Sequence, residues 1–221
     1  MNDTELMQIA INEAIKGLEL GDQPFGAVLV MDDKIISTGR NLVYSTFDPT
    51  AHAETITLRD AGTSIKTLSF PEATLYASWE PCPMCLGAII SARINRLVLG
   101  GRKSRGRSKY GEYTVEKLIE LTKVKDKLTL TTGVLQKKIE EIVDRCKSEL
   151  EENIIKSGQS AALEVGVSGL PNEIIKTIGE LKYRYSYGEN VLQHSIETGW
   201  LASLIASEIG ADPYKANAGG F

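Results

Sequence analysis

The chain has 221 residues, enough for one large domain or one domain plus part of a second, and its 42% hydrophobic content excludes a disordered polar chain. A net charge of −4 excludes a general polyanion binder, and MNDTELMQ carries acids where a secretory leader needs a basic region. No run approaches the roughly 18 apolar residues of a membrane span, so the expectation is a soluble, cytoplasmic protein that does not contact a membrane.

Asp3 or Thr4 is placed to cap a helix whose residues Leu6, Ile9, Ala10, Ile15 and Leu18 recur at helical spacing until Gly21. The period then shortens. PFGAVLVM and KIISTGRN predict two strands joined into a hairpin by an Asp32-Asp33 turn. After the polar loop STFDPT come a helix through AHAETITLRDAG, the strand ATLYASW, a helix from PCPMC through AIISAR, and the strand RLVLGG. A hairpin followed by helix and strand units predicts an α/β fold, a mixed β-sheet flanked by helices.

GRKSRGRSKY follows, with five cations between Arg102 and Lys109, and reads as a solvated loop or a phosphate or RNA contact. VEKLIELT predicts a short helix and KLTLTTGVL a last strand, beyond which strand signals cease. From about Leu135, Ile139, Ile142, Cys146, Leu150 and Ile154 form a helical apolar stripe, on which Cys146 reads as a small core residue. The remainder reads as helices broken around Pro171 and at Tyr187-Gly188. The domain boundary is placed near residue 136, giving segments 1–136 and 137–221.

Cys82 and Cys85 stand three positions apart in WEPCPMC, and with Cys146 they are too few for a disulfide framework. Such a pair between a strand and a helix serves as a redox couple, as half of a structural zinc site, or as part of a catalytic one. At the first turn of a helix both sulfurs share one face near unpaired N–H groups, which suits thiolates in every case. A closed structural site needs four ligands, and His52 and His194 are the only histidines. Three ligands, His52, Cys82 and Cys85, leave one tetrahedral position open. That is the catalytic arrangement, and Glu54 follows His52 as a candidate proton acceptor. The residues favour catalytic zinc over the other two uses.

HAE at 52–54 with PCPMC at 81–85 is similar to the His-x-Glu and Pro-Cys-x-x-Cys signature of the zinc-dependent cytidine deaminase-like superfamily. GDQPFGAVLV, GRN, DPTAHAE and TLYASWEPCPMCLGAI resemble its branch of guanine, cytosine and tRNA-adenosine deaminases. The resemblance spans about residues 4–136 and implies the family's three-layer fold. It also implies Zn2+ held by His52, Cys82 and Cys85, with Glu54 shuttling protons during hydrolytic deamination. Implied substrate contacts fall on Phe25, Asn41, Ala53 and Trp79, where Trp79 replaces the smaller residue of familiar relatives. The basic loop does not closely resemble the RNA-contacting segment of the tRNA enzymes. The implied substrate is therefore a free base or nucleoside of the guanine or cytosine type. The alternative is tRNA adenosine, with Arg105 and Arg107 as the RNA contacts. Relatives of this fold pair beside the site, so a homodimer is expected.

Residues 137–221 resemble ribonuclease Y, most specifically at LKYRYSYGENVLQHSIE. This implies an all-helical, incomplete HD-type segment that stops at Phe221, before the His-Asp pair would follow. His194 is its one recognisable HD ligand. The expectation is a segment without phosphohydrolase activity and without metal at His194. An HD-type RNA-processing nuclease fragment is the alternative function from another class.

Overall fold

In the computed structural model, which describes residues 1–102, 110–186 and 188–221, the chain opens on helix α1 (Asp3–Glu19). Its cap is Asn2 and not Asp3 or Thr4. The Asn2 side chain accepts the Glu5 N–H and the Glu5 carboxylate accepts the Asn2 N–H, each at 2.9 Å, which makes a capping box. Asp3 is engaged elsewhere: its carboxylate accepts both Arg96 Nη groups (2.9 and 2.6 Å) and the Tyr76 hydroxyl (2.8 Å). These bonds tie the start of α1 to the sheet beneath it.

Strands β1 (Gly26–Met31) and β2 (Lys34–Arg40) form the expected hairpin. Asp32 and Asp33 at its turn take φ of 51° and 57°, left-handed values that Asp tolerates better than most residues. With β3 (Thr74–Trp79), β4 (Arg96–Gly101) and β5 (Thr129–Thr131) they build one sheet in the order β2-β1-β3-β4-β5. β1 is antiparallel to both neighbours, whereas β3, β4 and β5 run parallel. The carboxyl ends of β2, β3 and β4 and the start of β1 therefore meet at one edge of the sheet.

Strand alternation divides the side chains between two faces. Leu29, Leu75, Ala77, Leu97 and Leu99 join Phe70, Leu86 and Ile89 on one face; Val28, Val30, Tyr76 and Val98 meet Leu6, Met7, Ala10 and Ile11 of α1 on the other. Helix α2 (Val43–Thr46), a single turn that runs into the start of the expected polar loop, precedes α3 (Ala53–Ile65), α4 (Pro83–Ser91) and α5 (Val115–Leu121). Helix α3 lies so close to β2 that a Cβ at Gly39 would come within 2.8 Å of the Ala53 carbonyl oxygen and 2.9 Å of the Thr57 nitrogen. Gly39→Ala is expected to cost about 1–3 kcal/mol of stability, as overpacking does, because the obstruction is helix backbone. Denaturant unfolding against the wild type checks it.

Helix α6 (Gln136–Val165) begins where its apolar stripe predicts. The chain divides into units 1–146 and 147–221 inside this helix and not near 136. The reason is that Ile139, Ile142 and Val143 pack into the α1 core. Ile154 is buried, whereas Leu150, expected on the same stripe, is exposed.

The second unit continues with α7 (Asn172–Glu180), a 3-10 turn (Leu181–Tyr183), α8 (Val191–Glu208) and α9 (Pro213–Gly220). A two-residue ladder between Tyr185–Ser186 and Glu189–Asn190 was not expected from the sequence. Ala161, Val165, Ile178, Leu192 and Ile196 form the core of this unit. A Cβ at Gly179 would collide with the Ile154 carbonyl, so α6 and α7 cross in backbone contact. Trp200, Leu201, Leu204 and Ile205 of α8 are exposed. Among the described residues no helix is long and apolar enough to cross a membrane.

Candidate active site

Helices α3 and α4 both start at the sheet edge where β2 and β3 end. His52 is the N-cap residue of α3 and Cys82 that of α4, each in extended backbone, and neither makes a side-chain capping bond. Pro83 opens α4, where its fixed φ suits the helix and its missing N–H costs nothing. Cys85 lies one turn on, fully buried, while His52 and Cys82 are half-buried.

The side chains turn towards one another. His52 Nδ1 is 3.7 Å from Cys82 Sγ and 3.4 Å from Cys85 Sγ, and the two sulfurs are 3.5 Å apart. Tetrahedral zinc at its usual bond lengths holds sulfurs about 3.8 Å apart and a sulfur and an imidazole nitrogen about 3.5 Å apart. The donors fit the ion to within a few tenths of an ångström. Among the described residues, no other group of three or more His, Cys, Asp or Glu side chains is placed to hold a metal.

The hydrogen bond between the two sulfurs, seconded by His52, pushes Cys82 down against the cost of burial. The same bond, with burial and the nearby Glu54 charge, pushes Cys85 up. A metal held here binds both sulfurs as thiolates, so its binding releases protons. Glu54 is buried in the first turn of α3, and desolvation pushes its carboxyl up against the opposing pull of its own N–H and the Cys85 thiol.

Asn41 follows β2 and is completely buried. Its N–H donates to the Phe25 carbonyl (3.0 Å) and its Oδ1 accepts the Val43 N–H (3.1 Å), as a turn asparagine does. Its Nδ2 has no partner. A buried donor left unpaired costs about 1–3 kcal/mol. The Leu42 N–H donates to the Ala51 carbonyl (2.9 Å), which brings this segment beside His52. Phe25 and Trp79 pair with ring centroids 6.3 Å apart, and Ala53 is buried between His52 and Glu54. Arg105 and Arg107 lie outside the described residues. His194 is exposed on α8 and belongs to no ligand group among the described residues.

Sequence reasoning did not find the polar groups behind the site. Asp22 is buried, and its Oδ1 accepts the Tyr44 and Ser45 N–H groups (2.8 and 3.1 Å), fixing α2 next to Asn41. Glu80, Arg102, Tyr113 and Glu116 form a second set around the start of α4. The one available signal was that Glu80 adjoins the cysteine motif.

A family model described as the cytidine and deoxycytidylate deaminase zinc-binding region matches residues 1–101. The tRNA-specific adenosine deaminase of Buchnera aphidicola subsp. Schizaphis graminum is 51% identical over 98 residues, 44% of this chain and 65% of that protein. Ribonuclease Y of Clostridium tetani is 48% identical over 95 residues, 43% of this chain and 18% of that protein. The chain thus spans less than two thirds of either relative. A solved structure from studies of A-to-I editing by tRNA:A34 deaminases superposes with a TM-score of 0.55 at 32% identity, covering 63% of this chain and 99% of the other. That coverage, the mixed five-stranded sheet and a donor set spaced for zinc lead to one conclusion: the chain belongs to the zinc-dependent cytidine deaminase-like superfamily.

Proposed function

We propose that the protein hydrolyses the exocyclic amine of a nucleobase, releasing ammonia and leaving a ring carbonyl. The observation that carries this is the joint placement of three zinc donors and the buried Glu54, beside an asparagine whose Nδ2 is unpaired. Zinc held by His52, Cys82 and Cys85 supplies a Lewis acid that brings the ionisation of a water into the neutral range. Glu54 takes a proton from the attacking water and delivers protons to the ring nitrogen and the departing amine. Desolvation makes it a better base than an exposed carboxylate. Asn41 Nδ2 donates to an acceptor atom of the base, held in that orientation by the Val43 N–H on its Oδ1. The Phe25 and Trp79 rings offer an apolar surface at the same edge of the sheet.

The substrate proposed first is a free base or nucleoside of the guanine or cytosine type. Adenosine within tRNA stands beside it, supported by the Buchnera relative and by the tRNA deaminase structure. Ammonia release from zinc-loaded protein over a panel of bases, nucleosides and a tRNA anticodon stem-loop tests both. Release from at least one is expected, and none from any would overturn the proposal. Activity on the stem-loop alone, weakened by Arg105→Glu with Arg107→Glu, would select the tRNA substrate.

A further inference from the structure

Cys82 and His52 are both half-buried N-cap residues, and Cys82 is the one reached from the sheet by a short link. Cys85 is fully buried inside α4, and His52 leads directly into the thirteen residues of α3. Cys82 precedes α4 and is half-buried, at the end of a two-residue link, Glu80-Pro81, from β3. The helix holds Cys82 from one side, through the Leu86 N–H on its carbonyl (2.9 Å), and the link holds it from the other.

The link is gripped from outside the motif. The Tyr113 hydroxyl donates to the Pro81 carbonyl at 2.8 Å, and that carbonyl belongs to the peptide joining Pro81 to Cys82. Glu80 Oε1 accepts Arg102 Nη2 at 2.6 Å, and Arg102 makes two further bonds to the Glu116 carboxylate, at 2.7 and 2.8 Å. The Glu80 N–H donates to the Gly101 carbonyl at 2.9 Å. The Tyr113 ring packs against the core that contains Leu86 of α4 and Val115 of α5, so its hydroxyl is borne on a fixed support. The grip comes from the end of β4 and the entry to α5, elements that contribute no metal donor. An outer bond of this kind fixes the direction of a ligand without touching the metal.

We propose that Tyr113 is a positioning residue for the metal centre: through the Pro81 carbonyl it holds Cys82 in ligating geometry, with the Glu80–Arg102–Glu116 chain bracing the same turn. This rests on the zinc reading above and adds to it a residue outside the His-x-Glu and Cys-x-x-Cys motifs. Tyr113→Phe keeps the ring and its packing and removes only the bond. A smaller effect in the same direction belongs to Arg102→Gln, which releases Glu80.

The test is metal retention in the full chain. Zinc-loaded wild type, Tyr113→Phe and Arg102→Gln are mixed with a chromophoric zinc chelator and the transfer rate is followed. Tyr113→Phe is expected to lose zinc about tenfold faster, the lower range for removal of an outer-shell partner. In the cobalt(II)-substituted forms its thiolate charge-transfer and ligand-field bands should shift, while the melting temperature of the metal-free variant stays at the wild-type value. A wild-type chain that takes up no zinc would overturn the zinc reading and this inference together. A wild type that holds zinc while both variants match its release rate and cobalt spectrum would overturn the inference alone. A fall in metal-free melting temperature with an unchanged cobalt spectrum would also overturn it, since Tyr113 would then serve the fold and not the ligand.

Discussion

Glu54→Gln is expected to lower turnover by about 10²- to 10⁴-fold, the usual worth of a positioned acid–base group, and to leave zinc bound. Glutamine keeps the size and hydrogen-bonding reach of the side chain but cannot take up a proton. The donors at His52, Cys82 and Cys85 are complete without it, so metal content should not change. Steady-state ammonia release and metal analysis of the same preparation check the two halves. Full activity would remove Glu54 from the chemistry. Loss of zinc with activity would make its role structural, through the first turn of α3 and the neighbouring Cys85. The position is informative because the carboxyl is buried. Burial raises the cost of its charge, and only its own N–H, the Cys85 thiol and the His52 charge are set against that cost.

Most of the first unit could be read from local pattern. The strand alternation of AVLVM, the Asp32-Asp33 turn and the helical spacing in α1 each depend on residues close in sequence, and each reappears in the structure. The metal donors were legible for a related reason: Cys82 and Cys85 share a helix turn, and His52 with Glu54 opens another, so two short motifs carry the centre. What stayed hidden depended on contacts between distant segments. Asp3 has the composition of a cap, yet Arg96 and Tyr76, far along the chain, claim its carboxylate, and Asn2 caps instead. Tyr113 looks like any half-buried aromatic residue until its hydroxyl is seen on Pro81. In α6 a single periodic stripe runs through residues that serve two different cores, so neither the exposure of Leu150 nor the division after Cys146 could be inferred from spacing.

Loss of any one donor should be the most severe change the centre can suffer. Outer partners of a metal ligand are worth about 10- to 100-fold in affinity. Removing a first-sphere donor from a three-donor site should exceed the upper figure, so His52→Ala and Cys85→Ser should weaken zinc by more than about 100-fold and abolish turnover. Cys146→Ser, by contrast, should retain both metal and activity, because Cys146 lies on α6 and belongs to no ligand group among the described residues. The contrast distinguishes ligation from general sensitivity to cysteine loss. Zinc should also add to stability, since the donors come together only in the folded chain. At free zinc one hundred times the dissociation constant the contribution is about 2.7 kcal/mol, and a chelator should remove it from the wild type but not from His52→Ala. Denaturant unfolding of both proteins, with and without chelator, measures the difference. Equal stabilities in all four conditions would mean that the three side chains hold no metal in the folded state, and the deaminase proposal would fall with them.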